Sequence, residues 1–119
     1  MGEVDYELRA RTKAFALNVI RIYSHLPGTT LAQVLGRQVL RSGTSVGAHY
    51  REACRARSIA EFVSKVEGGL QELDETAYWL ELLLDSGILD RENGCRLLEE
   101  ANELTAILVA SARTAKSRH

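Results

Sequence analysis

The sequence predicts an all-α protein, an antiparallel up-down-up-down four-helix bundle with left-handed packing. Three observations carry this. Apolar residues recur in alternating steps of three and four, the spacing of one helix face, and no stretch alternates with the period of two that marks a strand. Helix breakers are confined to a few places, and Pro27 is the only proline. Leu, Ala, Glu and Arg dominate, and all are good helix formers. With 119 residues the chain reads as one domain, 1–119, large enough to bury a core without disulfides or metals.

The first helix is expected over about 4–26, where Leu8, Thr12, Phe15, Val19, Ile22 and Leu26 form its stripe. Leu26-Pro27-Gly28-Thr29 ends it, and Thr29 or Thr30 caps the second, over about 30–57. Ser58 and Glu61 make a capping box for a third helix over about 58–86. Its stripe runs Ile59, Val63, Val66, Leu70, Leu73, Ala77, Leu80, Leu84. Asp85-Ser86-Gly87 closes it, and Asp90 caps a fourth helix over about 90–116, leaving a tail at 117–119. The fourth stripe is Leu97, Ala101, Leu104, Leu108, Ser111 and Ala115. Stepping by three and four is the seam of left-handed packing, and short connections make neighbours antiparallel. At Ser58 there is almost no linker, so two helices or one long bent helix both fit.

The stretch LRSGTSVGAHYREACRARS, residues 40–58, is rich in small residues and then turns basic. A phosphate loop would need a preceding strand and a Gly-Lys-Ser/Thr sequence, and it has neither. As a helix it resolves into faces. Gly36, Leu40, Gly43, Gly47, Tyr50 and Cys54 form one stripe, and Leu35, Val39, Ser42, Val46, His49 and Ala53 the next. Glycine inside a helix costs up to about 1 kcal/mol relative to alanine. Gly36, Gly43 and Gly47 on one stripe therefore point to close approach by a neighbour, and the bulky third helix is expected to fill the groove.

Arg37, Arg41, Arg51 and Arg55 share a third stripe, and Arg57 follows. Residues 37–57 hold five arginines against Glu52, a local 5 − 1 = +4, while residues 58–104 hold twelve acids against three bases, 3 − 12 = −9. The tail is basic again, so the formal net charge of −1 hides a segregated pattern. Two readings of the arginines stand: a face for nucleic-acid phosphates, or a solvated edge paired with acids such as Glu72 and Glu75. The end of the third helix is apolar nearly all round. Trp79 and Leu83 should point away from Leu80 and Leu84, so that Tyr78, Trp79 and Leu83 mark either a subunit interface or cover by a neighbouring helix.

Chemistry-bearing patterns are missing. A bundle dimetal site needs Glu-x-x-His pairs, but Glu52 is followed by Arg55 and Glu72 by Glu75. His25, His49 and His119 with Cys54 and Cys95 show no metal spacing. No catalytic residues, cofactor or small-molecule substrate are expected. No apolar run reaches the ~18–20 residues of a membrane span, and no secretory signal or myristoylation site is visible, Tyr6 standing where the latter wants Ser or Thr. Two widely spaced cysteines read as free thiols of a reducing compartment, which points to the cytoplasm.

Val39-Leu40-Arg41-Ser42-Gly43-Thr44-Ser45-Val46-Gly47-Ala48, then Arg51-Glu52-Ala53, resembles the second-helix signature of a bacterial four-helix-bundle family encoded in intervening sequences of 23S rRNA genes. The likeness continues through Glu61-Phe62, Glu72-Leu73-Asp74-Glu75-Thr76 and Tyr78-Trp79-Leu80-Glu81-Leu82-Leu83, and runs from about Thr12 to Leu89. The resemblance implies a bundle that assembles as a homopentamer and no known enzymatic activity. A related retroelement accessory protein binds a reverse transcriptase and nucleic acid with a similar pentamer. Many members carry Asn where this chain has His49. The resulting expectation is a non-catalytic oligomeric module that binds RNA, DNA or a nucleic-acid-handling protein, or else a purely structural or protein-binding scaffold.

Overall fold

The computed structural model describes residues 3–118, with side chains from Asp5 onward. Met1, Gly2 and His119, which the expected domain includes, lie outside the described residues. Four helices follow in order: α1 Glu3–Ser24, α2 Thr30–Cys54, α3 Ile59–Asp85 and α4 Arg91–Lys116. They form a rod 49 × 21 × 19 Å. Each packs on two others, with α2 against α3 the most extensive interface and α1 against α4 the sparsest. Cross-helix contacts fix the directions. Thr12, Val19 and Tyr23 meet Gly47, Gly43 and Gly36, Thr76 meets Ser42, Lys116 meets Glu67, and Arg11 meets Glu100. Every sequence-adjacent pair is therefore antiparallel, as is α1 with α4.

The helix starts follow the capping chemistry. Thr29, Ser58 and Asp90 sit in extended backbone, and their side-chain oxygens accept from the amides of Ala32, Glu61 and Asn93 at 3.3, 3.0 and 2.9 Å. Each satisfies an amide that has no partner within its helix. α3 stops through Gly87, whose φ of +76° lets the amides of Gly87 and Ile88 reach back to the carbonyls of Leu84 and Leu83. This is a Schellman closure.

The join between α2 and α3 is a real break. α2 ends at Cys54, three residues short of the expected boundary, and the amides of Arg55 and Ala56 bond the carbonyls of Glu52 and Ala53 in tighter i to i−3 fashion. Ser58 then adopts φ −153° and ψ 163°, which no continuous helix can contain. α1 likewise ends at Ser24, and His25 and Leu26 close with tight bonds to Ile22 and Tyr23.

Phe15, Val19, Val39, Val46, Val66, Leu73, Leu80, Leu104 and Leu108 form the centre of the core. The seams drift from a strict seven-residue repeat, because a straight helix turns about 20° per heptad against it. In α4 burial passes from Leu108 to Ala112 rather than to Ser111, and Ser111 and Ala115 are only half-buried. In α3 the residues Gly69, Thr76 and Leu83 are buried, whereas Leu70 and Ala77 are half-buried. Steps of seven place Leu83 on the same arc as Thr76, which faces α2. Leu83 is 0% exposed, so it is a core residue and not the surface residue the sequence pattern suggested.

The glycine groove is real but has a different occupant. A Cβ on Gly43 would lie 2.6 Å from Val19, one on Gly36 would lie 2.6 Å from Leu26, and one on Gly47 would lie 3.2 Å from Thr12. α1 and the turn after it fill the groove, not α3. α3 meets the neighbouring stripe of α2, where the Thr76 hydroxyl donates to Ser42 Oγ at 2.7 Å and Ser42 donates to the Gln38 carbonyl at 2.8 Å. These buried hydroxyls are thus satisfied, as burial requires.

Candidate nucleic-acid interface

The expected arginine stripe divides in two. Arg41 lies over α3, hydrogen-bonded to Glu75 and, at 3.3 Å, to Glu72. Its bond to the Glu75 carboxylate, then the charges of both carboxylates, raise its pKa above the ordinary guanidinium value. Arg41 therefore serves the α2–α3 seam. Arg37, Arg51, Arg55 and Arg57 are exposed, and none belongs to an ion pair among the described residues. They do not form one face. Arg37 lies near the start of α2, Arg51 in its last turn, and Arg55 and Arg57 in the turn before α3. The basic surface that remains is the end of the rod where α2 finishes.

That end is pinned from α1. The Asp5 carboxylate accepts hydrogen bonds from the Tyr50 hydroxyl at 2.9 Å and from the Cys54 thiol. The Cys54 bond, with smaller help from Tyr50 and the charge of Arg9, holds Asp5 below the usual carboxylate range. Burial, and then the bond to Asp5, push both Tyr50 and Cys54 up, so the phenol and the thiol stay protonated and uncharged. A thiol held in that form is a poor nucleophile, which gives Cys54 a structural role.

His49 sits in the α2–α3 seam, toward the end of α2. Its Nε2 is 3.7 Å from Glu72 and its Nδ1 is 3.6 Å from Glu52, and Lys65 approaches Glu52 at 3.4 Å. Both His49 distances exceed a hydrogen bond, and Nδ1 is buried without a partner. The ring rests on Gly68, where a Cβ would come within 2.9 Å of Nδ1. Among the described residues no three potential metal ligands gather, and no helix is long and apolar enough to cross a membrane.

Of the expected interface residues, Tyr78 is 55% exposed, Trp79 is half-buried against the core and tilted against Tyr78, and Leu83 is inside. Sequence reading missed two further exposed apolar residues, Leu31 and Val34, 57% and 50% exposed. Arg41–Glu75 and Ser42–Thr76 set the α2–α3 alignment, which carries Val34 to the level of the last turn of α3 and Leu31 to its end. Their period alone assigned them to no stripe.

The sequence pattern of the 23S rRNA-intervening sequence proteins matches residues 5–110. The chain belongs to this family. A crystal structure of a protein of unknown function from the S23 ribosomal protein family of Bacteroides thetaiotaomicron is similar to it, at 34% identity and a TM-score of 0.86, over 92% of this chain and 97% of that one. No curated protein matches the chain. The family match spans all four helices as far as residue 110, so the basic residues Arg113, Lys116 and Arg118 lie beyond it.

Proposed function

We propose that this protein is a non-catalytic, cytoplasmic, self-assembling helical module that binds RNA, DNA or a nucleic-acid-handling protein. The carrying observation is the division of the arginines: Arg41 is held by Glu72 and Glu75, while Arg51, Arg55 and Arg57 are exposed and outside the ion pairs of the described residues. Unpaired guanidiniums on one surface suit phosphates, to which they bind in fork geometry. Self-association, as the homopentamer that the family resemblance implies, would cover Tyr78 and Trp79 and repeat the basic surface around a ring. Filter binding of RNA and DNA at several salt concentrations, with wild type and Arg51→Glu/Arg55→Glu, tests this. Salt-dependent binding that the reversal abolishes in a particle of unchanged mass supports it. Absence of binding, or binding without salt dependence, sinks the nucleic-acid reading.

A protein-binding or structural scaffold is the second reading, favoured by the engagement of Arg41 with the acids of α3. If the same reversal changes the particle mass, the arginines serve assembly and this reading stands.

A further inference from the structure

Antiparallel connectivity gathers four distant pieces of sequence at one end of the rod: the start of α1, the end of α2, the start of α3 and the end of α4. Asp5 joins Tyr50 and Cys54, and Lys116 joins Glu67 at 3.2 Å. Two helix N-termini and two C-termini meet there, so the helix dipoles largely cancel and side chains set the potential. Arg51, Arg55 and Arg57, at the end of α2 and in the turn after it, and Arg113 and Arg118, at the end of the diagonally opposite α4, are exposed there and outside the ion pairs of the described residues. Among the described side chains most nearby carboxylates are engaged, Asp5 by Tyr50 and Cys54, Glu52 by Lys65 and Glu67 by Lys116, which leaves Glu7 and Glu61. The opposite end carries Asp85, Asp90 and Glu92 around Arg91.

The same basic end carries an aromatic ring with no packing role. Tyr6, next to the anchored Asp5, is 79% exposed, more than any other large apolar side chain among the described residues. Guanidiniums that track a backbone, beside an open ring on which a base can stack, are the two parts of a single-strand site. A duplex hides its base faces and would gain nothing from Tyr6. A membrane surface wants an apolar wedge, but the other exposed apolar residues, Leu17, Ile20, Leu31, Val34 and Tyr78, lie on the sides of the rod or toward its far end.

We propose that this end of the bundle is a binding surface for single-stranded nucleic acid, with the five arginines on phosphates and Tyr6 stacked on a base. The inference rests on the nucleic-acid reading above and specifies its partner. Fluorescence anisotropy with a labelled single-stranded RNA, and with the same strand in a duplex, tests it on the full chain, with circular dichroism to verify each fold. Tyr6→Ala is expected to weaken single-strand binding about tenfold, the scale of one lost stacked base, and to leave the duplex unchanged. Arg57→Glu/Arg118→Glu should weaken single-strand binding and flatten its salt dependence, while Arg37→Glu at the far end should change nothing. If wild type binds RNA but Tyr6→Ala and the arginine reversal bind as wild type does, this inference falls and the broader reading survives. If wild type binds neither RNA nor DNA of that sequence, or prefers phosphatidylserine vesicles to both, this inference and the nucleic-acid reading fall together.

Discussion

Val19 of α1 projects into the gap left by Gly43 of α2, so closely that a Cβ at position 43 would lie 2.6 and 3.0 Å from its two methyl groups. Val19 is completely buried and its β-branched side chain is stiff. Neither residue can give way without moving a helix. Gly36 has an equally short approach to the tip of Leu26, in the turn beyond α1, where rotation relieves the contact, and a looser one of 3.0 Å to the edge of the Tyr23 ring, which need yield only a few tenths of an ångström.

Gly43→Ala should therefore destabilise the fold by about 1–3 kcal/mol, the usual cost of overpacking. Gly36→Ala should fall within about 1 kcal/mol of wild type, because gained helix propensity offsets a small rearrangement. Thermal or urea unfolding of the two variants checks this, and equal losses would contradict it.

Asp5 gives the pH dependence a definite sign. Its pKa is lowered on folding, chiefly by the Cys54 hydrogen bond. The stability it contributes is thus present above the unfolded carboxylate value of about 3.8 and is lost as pH falls through the lower folded value. Solvent screening keeps the contribution below about 1 kcal/mol. Asp5→Asn should be less stable than wild type at neutral pH, and the gap should close in strong acid. Urea denaturation along a pH series measures it.

In the assembly proposed above, the exposed Val34 and Tyr78 should carry self-association. Tyr78→Glu and Val34→Glu are expected to lower the particle mass in light scattering while helicity is retained, since both side chains are at least half exposed. Trp79 is a poorer probe because it also packs on the core. Unchanged mass in both variants would remove this surface from any assembly.

His49 and Gly68 should be energetically coupled. The ring occupies the space a Cβ at position 68 would need. Gly68→Ala is expected to gain little in the native chain, yet up to about 1 kcal/mol of helix propensity when His49 is first replaced by the smaller Asn. A double-mutant cycle by urea unfolding reads the difference. Additive effects would mean that the ring swings away freely.

Caps and breakers act within a few residues. Thr29, Ser58, Asp90 and Gly87 therefore announced the helix limits in the sequence itself, and the three-four stepping announced which faces are buried. Local chemistry also marked Gly36, Gly43 and Gly47 as a groove. A stripe of small residues says that something comes close but not what, so the choice of α1 over α3 came from packing. Leu83 was misassigned for a similar reason: a helix covered by two neighbours buries an arc wider than one seam, and period alone does not give its width. The charges show the same division. Composition established that the arginines were segregated from the acids. Only the antiparallel arrangement could bring Arg41 onto Glu75, and gather Arg57, Arg118 and Tyr6 at one end of the rod, because four helices of similar length reverse direction three times.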